Sequence, residues 1–208
     1  MNKVMDKLFN LVKFDKKYVF FSLVVVIMGI LFGSIFIAIL SKSDKYLITE
    51  YITNFINNIK NNDFNYSKTF INTILTNFII IISMTIFGVS CILTPLNILV
   101  LFYKSFILGF SISGFMLSFK IKGLLLSLIY IFPHLILNIL IFSILTAFTL
   151  KLSSKIIKAT FKRKKVNLRL YMQKYLLAIL LFLILISISS LYESFVMPNI
   201  LKKILTII

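Results

Sequence analysis

The chain has 208 residues, of which 60% are hydrophobic, with a mean hydropathy of +1.02 and a net charge of +17. A water-soluble domain is roughly 45–50% apolar, so this chain has too little polar surface to be one. Its long unbroken apolar runs exclude a barrel of short alternating strands. They leave membrane-spanning helices, which satisfy all their backbone groups in lipid.

A basic lead-in, residues 1–17, carries five lysines against Asp6 and Asp15. The first apolar run covers about residues 18–40 without a charge, long enough for a bilayer core of about 20 residues. It exceeds a typical signal-peptide core, and no small-residue cleavage site follows it, so it reads as an uncleaved anchor. Gly29 and Gly33 form a GxxxG pair in it, a spacing that lets two helix backbones approach closely, within one chain or between copies.

Residues 41–73 are polar. Within them Leu47, Ile48, Tyr51, Ile52, Phe55, Ile56 and Ile59 recur at spacings of three and four, which predicts an amphipathic helix on the outer membrane surface or against other spans. Asn61, Asn62 and Asp63 break that pattern. The second run, about 74–93, ends at Thr94 and Pro95, and the third, about 96–119, follows at once, so the two form an antiparallel hairpin. Ser105, Gly109 and Ser113 repeat the small-residue spacing in the third run, where they serve either internal packing or a contact with a second copy. Lys104 is the charge inside that run; it either snorkels to the headgroups or pairs, or it serves a solute path.

Lys120, Lys122 and Gly123 make the next turn. The fourth run, about 124–150, contains Pro133, which predicts a kink. His134 and Asn138 share a helix face there, as part of an interhelical hydrogen-bond network or of a proton or ion relay. Nine basic residues then crowd into 151–174, where they suit anionic headgroups rather than nucleic acid, since no aromatic interleaving accompanies them. The fifth run is about 175–191. Glu193 stands at its outer end, near Ser189, Ser190 and Pro198, to pin that end or to meet a partner. Cys91 lies in an apolar run and has no cysteine partner in the chain.

The expected architecture is all-α: a single membrane domain, 1–208, with five transmembrane helices, an outer amphipathic segment and a basic loop at 151–174. With the N-terminus inside and the C-terminus outside, the inner segments hold 14 lysines and arginines and the outer ones 8. The cluster at 151–174 decides that orientation. No paired carboxylates, phosphate-cradling loop, metal-ligand cluster or nucleophile elbow appears, and there is one histidine and one cysteine. The chain therefore reads as a non-enzyme without cofactor or metal. The runner-up reading is a permease subunit of a membrane transporter, with Lys104, His134 and Asn138 lining the path.

Three segments carry a likeness: VVVIMGILFGSIF at 24–36; YKSFILGFSISGF at 103–115 with IFPHLILN at 131–138; and the stretch at 173–198 that ends in Ser189, Ser190, Glu193 and Pro198. In this order and spacing the sequence resembles the stage II sporulation protein M family over nearly its whole length. Many members of the wider family read Pro-His-Gly with a glutamate one turn on, where this chain has Leu135 and Asn138. The resemblance implies a multi-pass cell-membrane scaffold for forespore engulfment, placed at the sporulation septum and in the mother-cell engulfing membrane. It implies stage II sporulation proteins D and P as the peptidoglycan-degrading partners, beside the lipid bilayer and a possible homo-oligomer.

Overall fold

The computed structural model describes residues 15–61, 63–160 and 168–205. They form seven α-helices and one π-helical turn, without strands. α1 is Lys16–Ile39, α2 Lys42–Lys60, α3 Tyr66–Val89, α4 Thr94–Tyr130, α5 Phe132–Thr160, α6 Leu168–Leu191 and α7 Met197–Leu205; the π turn, Tyr192–Val196, joins the last two. Five stretches are long and apolar enough to cross a membrane: Lys16–Ile39, Tyr66–Val89, Thr94–Tyr130, Pro133–Thr160 and Tyr175–Ile204.

α1 and α4 approach backbone to backbone. A methyl group placed on Gly33 would overlap the Phe106 carbonyl oxygen, and one on Gly109 would overlap that of Ile30. A methyl on Gly29 would lie 2.6 Å from Cβ of Ser105. The small residues of the two helices thus face each other within one chain. Ser113 is half-buried one turn beyond Gly109. Phe32 packs edge-on against Phe102, and Phe36 against Phe106, beside this seam.

The α3–α4 hairpin forms as expected. Its turn is held by Ser90, whose carbonyl accepts from the amides of Leu93 and Thr94, with Pro95 in the first turn of α4, where the missing N–H costs no helix bond. Asn97 Nδ2 donates to the Met84 carbonyl at 3.0 Å across the hairpin. Elsewhere Tyr175 Oη donates to the Thr85 carbonyl at 3.1 Å, and the Ser22 and Ser143 hydroxyls meet at 2.9 Å. At one end of the bundle Lys151 Nζ lies 3.4 Å from Asp15 Oδ2.

α2 begins at Ser41, whose hydroxyl accepts from the Asp44 amide, and ends at the expected Asn61 break. Its Ile52, Ile56 and Ile59 are buried, whereas Leu47 and Tyr51 remain exposed. The amphipathic face is therefore divided: one edge packs on the bundle, and the other stays on the surface.

Several helix limits differ from the apolar runs, among them the start of α6 at Leu168 rather than about 175. α3 starts at Tyr66 rather than about 74, because the Asn65 side chain accepts from the Lys68 amide and caps the helix in polar sequence. α5 begins at Phe132, so Pro133 sits in its first turn instead of kinking the interior of a helix over 124–150; the preceding stretch belongs to α4, beyond Lys120. α5 then runs on to Thr160, carrying Lys151, Lys155 and Lys158 as a helical extension of the span. Lys162, Arg163, Lys164 and Lys165 of the basic loop, like Lys3, Asp6, Lys7 and Lys13 of the lead-in, lie outside the described residues. The last span continues past Leu191 to Ile204, which places Glu193 inside it rather than at its outer end. Pro198 accounts for the turn that permits this. In an unbroken α-helix its ring would collide with the Ser194 carbonyl. The helix widens instead, and the Met197 amide donates to the Tyr192 carbonyl five residues back.

Lys120 carries the turn between the third and fourth runs with φ 53° and ψ −130°, a conformation that favours glycine. The turn folds the chain so sharply that Gly123 lies directly against the Phe115 backbone.

Candidate functional site: an intramembrane polar cluster

The polar side chains of the apolar runs converge. Lys104 of α4, Asn138 of α5 and Glu193 of the π turn line one chamber of about 240 Å³, together with Thr73 and Asn77 of α3. Asn77 and Asn138 are each 4% exposed. The aliphatic wall is Leu135, Ile139 and Phe142, and the Lys104 ammonium stands 5.8 Å from the Phe142 ring centre, a favourable range for a cation over an aromatic face. Asn72 and Thr76, both exposed, form its rim.

Thr73 Oγ1 donates to Glu193 Oε1 at 3.4 Å. The same oxygen lies 3.8 Å from Nε2 of the buried His134. The imidazole is fixed from its other side, where Nδ1 lies 2.9 Å from the Tyr130 carbonyl. Ser189 Oγ donates to the His134 carbonyl at 3.4 Å, tying α6 to α5 at this level. Among the described residues four buried oxygens have no hydrogen-bond partner, and one of them, Asn138 Oδ1, belongs to a residue of the chamber wall. Leaving such a group unpaired costs about 1–3 kcal/mol, so a donor entering the chamber would meet a ready acceptor there.

His134 and Glu193 also close the floor of a second cavity of about 520 Å³. Its walls are apolar: Ile48, Ile52 and Phe55 of α2 on one side, and Phe110 and Phe115 of α4 on the other. The polar chamber and the apolar groove meet at Leu135 and Glu193, which line both.

The family model for stage II sporulation protein M matches residues 22–198, from the first helix to the proline after the π turn, and so takes in every residue of the cluster. The chain belongs to this family. No curated protein and no solved structure matches it. Membership makes this a sporulation-related membrane protein, and its five apolar helices make it multi-pass.

Within that family frame the intramembrane residues singled out in the sequence fall into two groups. Lys104, His134, Asn138 and Glu193 come together around the two cavities. Gly29, Gly33, Ser105 and Gly109 lie on the α1–α4 seam instead, and Pro198 is buried next to the π turn it shapes. Asn77 and Thr73 were not legible as site residues. An asparagine within an apolar run is a signal in itself, because an amide is costly in lipid without a partner. Among the described residues no group of three or more His, Cys, Asp and Glu side chains is arranged to hold a metal ion.

Proposed function

We propose that the chain is a non-enzymatic membrane scaffold of forespore engulfment. In this reading it localises peptidoglycan-degrading enzymes, stage II sporulation proteins D and P, to the septum and the engulfing mother-cell membrane. The observation that carries it is the family match running through all five apolar helices. Two further features support it. With a single histidine and a single cysteine the sequence has few means of assembling a hydrolytic centre, so the chemistry falls to partners. And α1 and α6 turn broad apolar faces outward, Phe20, Ile27 and Leu31 on one and Leu177, Leu180 and Ile184 on the other, which offers surface for transmembrane helices of partners as well as for lipid.

The permease reading is favoured by one observation, the polar chamber inside the bundle. Affinity purification from membranes of sporulating cells separates the two. The scaffold reading expects the D and P proteins to be recovered with this chain; recovery of an ATPase subunit in their place would support transport.

A further inference from the structure

The tautomer of His134 is set by its surroundings. The Tyr130 carbonyl can only accept, so Nδ1 carries a hydrogen. When the ring is uncharged, Nε2 therefore presents a lone pair, and it presents it to Glu193 Oε1 at 3.8 Å. An ionised carboxylate is also an acceptor. Two acceptors opposed at this range in a largely apolar surround repel each other, and the edge between them is stable once it holds a proton. That proton resides either as a carboxylic acid facing imidazole or as a carboxylate facing imidazolium.

The surroundings suit exchange of this proton. Glu193 lines both cavities. On the chamber side it shares the wall with Lys104 from α4, and Thr73 from α3 donates to it. On the groove side the ionisable neighbours are Tyr130 from α4 and Tyr51 from α2. Asn138 Oδ1, the unpartnered buried acceptor, stands ready for a donor at the chamber wall. The π turn places the carboxylate here, as such turns often do at functional positions.

We propose that Glu193 and His134 form a proton-exchange site reached from both cavities. A proton taken up on Glu193 from the chamber passes from Oε1 to the lone pair on Nε2. The ring becomes cationic while Nδ1–H goes on donating to the Tyr130 carbonyl, and the carboxylate left behind accepts from Thr73 and shares its chamber with the Lys104 ammonium. Transfer of the Nε2 hydrogen to solvent water entering the groove then restores the starting state. Closing the gap from 3.8 Å to hydrogen-bond range takes a side-chain shift of about 1 Å. The inference is independent of the scaffold reading and concerns what the bundle binds within itself.

The single histidine makes the test unambiguous. The full chain, purified through a tag free of histidine and placed in lipid nanodiscs, is labelled with ¹⁵N-histidine and ¹³C-glutamate and followed by NMR across pH. The expected result is an Nδ1 that stays protonated throughout, and an Nε2 and a Glu193 carboxyl that change in one shared transition. Glu193→Gln should weaken proton binding at Nε2 by about tenfold or more, the size of coupling that makes two sites titrate as a pair. Lys104→Met, which removes a cation that opposes protonation nearby, should instead strengthen proton uptake by the Glu193–His134 pair as a whole, and this opposite sign keeps the test open if the first variant misfolds. An Nε2–H tautomer, an imidazole that never titrates, or a titration unmoved by both substitutions would overturn the proposal.

Discussion

The Glu193 carboxylate lies 3.8 Å from the His134 imidazole, inside the last apolar stretch and beside Lys104 of a third helix. Three ionisable groups from separate elements thus meet in a bundle whose other buried polar side chains, among the described residues, are the uncharged Ser, Thr and Asn. Removing the carboxylate leaves Lys104 without the opposite charge that shares its chamber, a loss smaller than the roughly 3–5 kcal/mol of a directly paired, fully buried ion. Glu193 retains 21% side-chain exposure and accepts from Thr73, so the loss expected for Glu193→Ala is about 1–2 kcal/mol. The double change Lys104→Met with Glu193→Leu should recover much of it, because it removes both charges. Unfolding in mixed detergent micelles measures both.

The seam between α1 and α4 leaves no space for side chains at Gly33 or Gly109. Gly33→Val should therefore force the helices apart, with a loss of about 2 kcal/mol, and Gly33→Ala should act in the same direction more weakly. The same unfolding assay reads the effect. Outward-facing changes on α1, such as Ile27→Val, should leave stability unchanged within about 0.5 kcal/mol.

Lys120 holds a positive φ that a side chain adopts only at a cost of about 1–3 kcal/mol. Lys120→Gly relieves that cost and gives back about 0.4–1 kcal/mol through the freer unfolded chain. A net stabilisation of roughly 1 kcal/mol is expected. A rise in the melting temperature of the purified protein would register it; a fall would show that the lysine side chain makes compensating contacts.

Orientation rests on the distribution of lysine and arginine. Reporter domains joined within residues 151–174 should report the cytoplasm, and reporters joined after the last helix should report the outside. The Asp15–Lys151 pair places the start of α1 and the end of α5 at one end of the bundle, so a fusion at either position should give the same side.

The existence of the spans was legible because uncharged runs of about 20 residues have few alternatives. Their limits were less so, since hydropathy reports on lipid and not on helix propagation. Asn65 caps a helix that starts in polar sequence, and Lys151 to Lys158 continue one that leaves the apolar run. Lys104, His134, Asn138 and Glu193 each stood out as polar residues in or beside apolar runs. What one dimension hid was their meeting. Glu193 reaches His134 only because a π turn carries the last helix past Pro198, and the partnership with Thr73 and Asn77 depends on how α3 packs. The glycines show the same limit: their spacing announces close packing but not which helix is the partner.

The claim that matters most is that this chain positions other proteins during sporulation. Fluorescent fusions of the stage II sporulation proteins D and P, imaged in a strain lacking the gene for this chain, test it directly. The account predicts that both lose their concentration at the septum and that the mother-cell membrane stops before migrating around the forespore. Partners still focused at the septum, with engulfment running to completion, would contradict it.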